Sequence, residues 1–296
     1  MQKTNRILDV NHNNRADPVS ELVSIHGGHS GEFCNHAQGS LEDIIKAYVK
    51  KGFSWVGITE HMPPVNDNFL YQDEKEAGLD AKKMYRLFAR YFLTCRKLQK
   101  KYAPLIKIYA GFEAETYTGS EQFIQKLINT FRPDYIVGSI HHVNDIPIDY
   151  TIDLYEDAAY LMGSIDALYC EYFDRQYEMI KRLKPSVIGH FDLIRIFDQD
   201  YRLRLKKDVI QKRIRRNLEC IKKFNLILDF NVRSFSKGGS EPYISESILL
   251  QALELKIAVV PGDDSHSVET VGLNIEKGIK ILKETGFDIK WKNPAT

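Results

Sequence analysis

Short runs of aliphatic, β-branched and aromatic residues punctuate this chain, and longer stretches of helical period separate them. The short runs fall at Leu22–Ile25, Phe53–Thr59, Leu105–Phe112, Asp134–Ile140, Ser186–Gly189, Leu226–Phe230 and Ile257–Pro261, all of strand length and composition. The clearest helix begins at Ser40, an N-cap with Asp43 three residues on, and aligns Leu41, Ile44, Ile45, Tyr48 and Val49 on one face. A second starts at Ser120 and turns Phe123, Ile124, Leu127, Ile128 and Phe131 inward. A third starts at Ser245, with Ile248, Leu249, Ala252 and Leu253 inward. Further helices are predicted over Asp80–Tyr102, Asp153–Leu183, Lys206–Phe224 and Glu269–Thr285. Seven strand-plus-helix units in one series predict an α/β fold, a closed parallel barrel of seven strands. An open doubly wound sheet is the alternative that periodicity alone leaves. No repeat or linker divides the series, so residues 21–296 read as one domain after a polar tail, residues 1–20.

Composition narrows the setting. The chain has 296 residues, 43% hydrophobic and 27% charged, enough to bury a large core without covalent staples. Its 41 basic and 40 acidic residues leave a net charge of +1, which argues against nucleic-acid and anionic-membrane partners. An anionic substrate must then be drawn by charge local to a site. Cys34, Cys95, Cys170 and Cys220 are scattered without a C-x-x-C pair, which reads as a reducing compartment and no disulfide framework. The first twenty residues lack the apolar core of a signal peptide, and no run is long and apolar enough to span a membrane. A cytoplasmic protein is expected.

The two maps join at the strand ends, where a parallel barrel places its functional groups. There the sequence carries His26, His61, Glu113, His141, His190, Asn231 and Asp264, six of them metal-ligand types. His26-Gly-Gly-His29-Ser-Gly-Glu-Phe-Cys34-Asn-His36 adds further imidazoles, with glycines that let the backbone turn tightly, and Asp264-Ser-His266 adds another. Imidazole and carboxylate together suit Zn, Mn or Fe rather than Ca. A lone histidine at a strand end is more often a satisfied structural residue, but seven so arranged are not explained that way. His12 lies in the polar tail and is assigned no role. His141 and His142 point in opposite directions by strand alternation, so one of the pair stands outside the ligand set. Glu115 shares a face with Glu113. Cys34 reads as a buried bystander thiol or, less simply, a ligand of a soft metal. Asp192 and Asp263 are divided between supporting hydrogen bonds and direct participation.

These residues in this order resemble the polymerase-and-histidinol-phosphatase (PHP) superfamily, and its histidinol-phosphatase branch in particular. The resemblance rests on His26/His29, Cys34-Asn-His36-Ala37, Thr59-Glu-His61-Met-Pro-Pro64, Gly111-Phe-Glu113, Gly138-Ser-Ile-His141, Gly189-His190-Phe-Asp192 and Asp264-Ser-His266. It departs from the family at three points, one of them a slightly longer stretch from His29 to Cys34. The opening motif is usually His-x-His, whereas Gly27 and Gly28 stand between His26 and His29, and Glu60 replaces a common aspartate.

The resemblance implies a distorted (β/α)7 TIM-like barrel with a metal site at the C-terminal ends of its strands and three divalent ions per chain. His26, His29, Glu113 and Asp264 would hold the first. Glu113, His141 and His190 would hold the second, and His36, His61 and His266 the third. It further implies hydrolysis of a small phosphate monoester by metal-activated hydroxide, with L-histidinol phosphate of histidine biosynthesis as the substrate. Another PHP-type phosphoesterase, acting on a nucleotide, phosphotyrosine or other small phosphate, is the enzymatic alternative, and a metal-binding module without turnover the non-enzymatic one. Arg195, Arg233 and Lys237 follow strand ends and are candidate phosphate contacts, with solvated surface charge as the competing reading. Asp192 or a metal-bound water would protonate the leaving group. Glu32, Glu115, Tyr117, Phe191 and Phe235 are available to an amine and imidazole. The basic run from Lys206 to Arg216 reads as a solvated helix face, and homo-oligomers remain open.

Overall fold

The computed structural model describes residues 21–295; the predicted polar tail, His12 included, lies outside them. Ten strands run in the order β1 Val23–Gly27, β2 Trp55–Ile58, β3 Lys107–Ala110, β4 Phe112–Glu115, β5 Ile136–Ser139, β6 His142–Val143, β7 Ile146–Pro147, β8 Val187–Ile188, β9 Ile227–Asn231 and β10 Ala258–Gly262. The helices are α1 Leu41–Lys50, α2 Gln72–Glu76, α3 Ala81–Tyr102, α4 Ser120–Phe131, α5 Ile152–Met162, α6 Ile165–Leu183, α7 Tyr201–Leu205, α8 Asp208–Lys223, α9 Arg233–Ser236, α10 Glu246–Glu254 and α11 Ile275–Thr285.

All seven predicted strands are present, but one is divided. The run expected over Leu105–Phe112 breaks at Gly111 into β3, which pairs in parallel with β2, and β4, which pairs in parallel with β5. The result is a three-stranded parallel group, β1-β2-β3, and a five-stranded one, β10-β9-β8-β5-β4. Backbone bonds knit the two groups at both seams. At one, Glu113 N–H donates to Glu60 C=O and Met62 N–H to Glu113 C=O, both at 3.0 Å. At the other, Asp264 N–H donates to His26 C=O at 2.8 Å and His29 N–H to Ser265 C=O at 2.7 Å. The seven strand positions therefore circle a distorted (β/α)7 barrel whose seams lie beside the candidate ligands. The short antiparallel hairpin β6-β7 was not anticipated. Its turn residues Asn144 and Asp145 both take positive φ, the conformation that a two-residue hairpin turn demands.

Local signals explain the helices. Ser40 Oγ accepts the Asp43 N–H at 3.1 Å and caps α1, whose Leu41, Ile44, Ile45 and Tyr48 are buried as the spacing predicts. Asp80 caps α3 and Ser245 precedes α10 at the predicted starts. The single helix predicted over Asp153–Leu183 is two. Gly163 ends α5 in the left-handed region, and Ser164 Oγ caps α6 by accepting the Ala167 N–H.

The main core lies between strands and surrounding helices. Phe112, Phe173, Phe191, Phe230 and Tyr172 are among its fully buried members. A smaller cluster comes from the strands and their flanks, including Val23, Ile25, Trp55, Tyr109, Tyr135 and Val187. This inner packing ends where the candidate ligands begin.

Candidate metal centre

Each ligand-type residue arrives at the barrel mouth for a local reason. His26 is on β1 and Glu113 on β4; His61, His141, His190 and Asp264 follow β2, β5, β8 and β10. The Gly27-Gly28 insertion is accommodated by close packing: a Cβ at position 28 would collide with Ile44 and sit 3.2 Å from Ser265 Oγ. Gly28 N–H donates to Tyr48 Oη at 2.9 Å, and Tyr48 in turn donates to Asp263. Both rings consequently stay in the centre, with the centroids of His26 and His29 6.0 Å apart. Gly262 serves the same end: a side chain there would strike Asp229 and come within 2.9 Å of His26 Cβ. His190 and Asp264 have φ of 21° and 44°, a costly region for residues with side chains, held by the surrounding structure.

Glu113 is the hub. Its carboxylate is 1% exposed, with Oε1 3.0 Å from His141 Nε2 and 2.9 Å from His190 Nε2. Oε2 lies 3.4 Å from His26 Nε2 and 3.2 Å from His61 Nδ1. Burial acts to raise its pKa, but the surrounding His26, His141 and His61 outweigh it and hold the carboxyl well below its ordinary value. Asp264 is 3.3 Å from His29 Nε2; against burial, Arg233, His26 and His29 likewise hold it ionised. His36 stands at the exposed edge of the site, where partial desolvation and neighbouring His61, His29 and Arg233 hold its pKa below the ordinary value.

Behind the imidazoles stand carboxylates that sequence reading did not single out. His26 Nδ1–H donates to Asp229 at 3.0 Å, and His141 Nδ1–H to Asp149 at 2.8 Å. Such pairs fix the tautomer, so that Nε2 faces the centre as an acceptor. The β6-β7 hairpin creates the second pair, because Ile148 N–H bonds back to His141 C=O and brings Asp149 under the ring. Glu60 accepts from Ser30 N–H and Oγ at 2.9 and 2.8 Å, and it lies 3.7 Å from His29 Nδ1. Its replacement of aspartate thus bears on the loop that carries His29.

His26 Nε2, both ring nitrogens of His29 and His61 Nδ1 are buried and make no hydrogen bond. An orphaned buried polar atom costs roughly 1–3 kcal/mol. Several converging on two ionised carboxylates make a donor set fitted to divalent cations. Three overlapping groups bring ligand atoms within 4.8 Å of one another: His26, His29 and Asp264; His26, Glu113 and His190; His61, Glu113 and His141. A fourth joins His29, Cys34, His61 and His266. The grouping differs from the assignment the sequence suggests: His190 falls with His26 and Glu113, His141 with His61 and Glu113, and His29 and Cys34 join His61 and His266. His36 belongs to none of these groups, although its ring centroid is 5.3 Å from that of His61 and 5.0 Å from that of His266.

A cavity of about 260 Å³ opens over this floor, walled by Tyr71, Asp149, Tyr150, Leu193, Arg233, Lys237 and Tyr243. A larger one, about 370 Å³, lies on the far side of His142 between α4 and α6, away from the converging ligands. Arg233 reaches the floor: its Nη1 donates to Asp264 Oδ1 at 3.1 Å and to the His266 ring. Lys237 is at the rim, its pKa pulled below the ordinary value by burial and by Arg233.

Arg195 and Asp192 do not reach the cavity. Arg195 is 6% exposed, donates to the carbonyls of Glu241 and Pro242, and lies over the rings of Tyr201 and Tyr243 at 4.8 Å. Asp192 is fully buried, accepts from Ser245 N–H at 3.1 Å and from its hydroxyl, and sits 3.3 Å from Arg195 Nε. The expectations of a phosphate contact and a leaving-group acid are corrected accordingly: the two form an internal brace. A 3₁₀ turn over Leu193–Arg195 directs Arg195 inward. The brace holds the segment that carries Tyr243, which sequence reading missed.

Other candidates also change place. Asn231 supports the site by donating to Asp229 and Asp264. His142 is buried against Tyr117, outside the ligand groups. Glu115 accepts from Tyr71 Oη and lies 3.2 Å from His61. Phe191 is core, and Glu32 bonds to the start of α1. Asp229 had a legible signal, a lone carboxylate inside the apolar run Leu226–Phe230; Asp149 had none.

Comparison with known proteins points to one family. The PHP domain family model matches residues 27–233. The "probable histidinol-phosphatase" of Schizosaccharomyces pombe is 35% identical over 269 residues, covering 90% of this chain and 87% of that protein. The histidinol-phosphatase of Saccharomyces cerevisiae is 27% identical, covering 87% of each. A solved histidinol phosphate phosphatase from Lactococcus lactis, complexed with zinc, L-histidinol and phosphate, shares the fold at a TM-score of 0.69 and 19% identity, covering 90% of this chain and 94% of that one.

Proposed function

The chain belongs to the PHP domain family, and from that premise we propose that it is a phosphomonoesterase that hydrolyses L-histidinol phosphate to L-histidinol and phosphate. The relatives named as histidinol-phosphatases align along most of its length, and the fold is that of an enzyme crystallised with zinc, L-histidinol and phosphate. The single observation that carries the reading is Glu113, buried and ionised among four imidazoles at the floor of a substrate-sized cavity.

Three divalent ions, Zn, Mn or Fe, would bind here. His26, His29, Glu113 and Asp264 form the first position, Glu113, His141 and His190 the second, and His36, His61 and His266 the third. When bound, such ions supply hydroxide at neutral pH and neutralise charge on the phosphoryl oxygens. The chain's own residues do the rest. Asp229 and Asp149 keep His26 and His141 in the ligating tautomer. Arg233 and Lys237 supply the local positive charge that the near-neutral chain lacks, and both can meet the phosphate from the cavity wall. Tyr71, Tyr150 and Tyr243 offer aromatic faces, and Asp149 a carboxylate, to the imidazole and ammonium of the organic part.

The test is a metal count by elemental analysis on protein purified without chelator, with phosphate release assayed on the same sample. L-histidinol phosphate is compared with a nucleotide monophosphate, phosphotyrosine and an aryl phosphate. About three ions per chain and a strong preference for histidinol phosphate are expected. Activity confined to the other esters would remove the substrate assignment and keep the chemistry.

A further inference from the structure

We propose that the Cys34 thiol is a metal ligand, making the third position a mixed cysteine–histidine site. The inference rests on the metal centre proposed above and revises one of its positions. The atoms that converge there are Cys34 Sγ and one ring nitrogen each of His29, His61 and His266, all within 4.8 Å of one another. His36 approaches from outside this group, with Nε2 3.3 Å from Cys34 Sγ.

That distance has a second reading besides a thiol hydrogen bond. A sulfur at 2.3 Å and a nitrogen at about 2.05 Å from one tetrahedral zinc lie about 3.5 Å apart. The Cys34–His36 gap is thus close to the spacing of two ligands on one ion. The fully buried His29, whose ring nitrogens make no hydrogen bond and lie 3.3 Å from Asp264 and 3.7 Å from Glu60, points into the same space.

The other cysteines give the contrast. Cys95 and Cys220 belong to the hydrophobic core and Cys170 packs against it. Cys34 is 5% exposed yet belongs to neither apolar cluster. Its place is beside the imidazoles of the site rather than within the apolar core. Binding replaces the S–H bond by a sulfur–metal bond and releases the proton to solvent. A thiolate biases the position toward zinc or cobalt over manganese and exposes it to oxidative loss.

The test uses the full chain, stripped with chelator, reloaded with Co²⁺ and counted by elemental analysis. A thiolate-to-cobalt charge-transfer band in the near ultraviolet is expected, lost in Cys34→Ser and kept in His36→Ala. Zinc X-ray absorption on the unmodified protein, independent of any variant's folding, should show sulfur at about 2.3 Å. Cobalt bound without the band, a band that survives in Cys34→Ser, or a nitrogen- and oxygen-only zinc shell overturns the ligand assignment and leaves the centre standing. No uptake of either ion overturns the centre itself, and the inference with it.

Discussion

Asp229→Asn probes how far the second layer of the site controls the first. Asp229 is fully buried on β9, 3.0 Å from His26 Nδ1, and also accepts from Asn231. Asparagine preserves size, so no cavity opens, but it removes the charge that favours Nδ1–H. If its amide NH₂ turns toward the ring, the proton moves to Nε2 and the ligating lone pair is lost. Removal of such a partner weakens metal binding about 10- to 100-fold, or about 1.4 to 2.8 kcal/mol. Because His26 stands at one position of the proposed three, the loss should fall on a single equivalent of metal. Chelator competition with zinc would show one weakened class and two nearly unchanged ones. Thermal unfolding of the metal-free forms would show whether the fold itself has moved. Wild-type affinity and stoichiometry in a normally folded variant would refute the coupling of Asp229 to the centre.

Arg233→Ala should weaken substrate and inorganic phosphate together, by about 10- to 100-fold if one charged hydrogen bond worth about 1.5–3 kcal/mol is lost; inhibition by phosphate measures it. An unchanged phosphate affinity would return Arg233 to a structural role. Arg195→Ala should instead cost stability, about 3–5 kcal/mol, by leaving the Asp192 carboxylate buried and unpaired. Denaturant unfolding reads this, and a pure loss of phosphate affinity without destabilisation would contradict the brace. In chelator-treated protein, burial pushes Glu74 up to about 7. Between roughly pH 4.3, the ordinary value, and pH 7 the folded chain then holds a proton that the unfolded chain has lost, so stability falls as pH rises, by up to about 1.4 kcal/mol per unit. Glu74→Gln should flatten that slope, and superimposable pH profiles would refute the shift.

What the sequence discloses here is what depends on near neighbours. Strand ends were readable because six of the seven apolar runs stop at or just before a ligand-type residue, as Phe53–Thr59 does before His61 and Ser186–Gly189 does at His190. Caps such as Ser40 were readable because their hydrogen bond spans three residues. The break at Gly111 was not, since it reflects which neighbour each half pairs with around the barrel. Asp149 escaped notice because its partner is fixed by a hairpin turn, and Arg195 misled because a single 3₁₀ turn reverses its direction. Direction across space is what periodicity omits, and the brace and Cys34 both turn on it.

The seam between β1 and the end of β10 also has a temporal meaning. Asp264 N–H bonds to His26 C=O and His29 N–H to Ser265 C=O, so the barrel mouth is closed by residues from opposite ends of the described chain. During synthesis the imidazoles of His26 and His29 emerge well before β10 and must wait, without the Asp264 carboxylate, until that strand has been made. Contacts of such long sequence separation form late and slowly. Metal loading at this seam therefore follows the synthesis of β10.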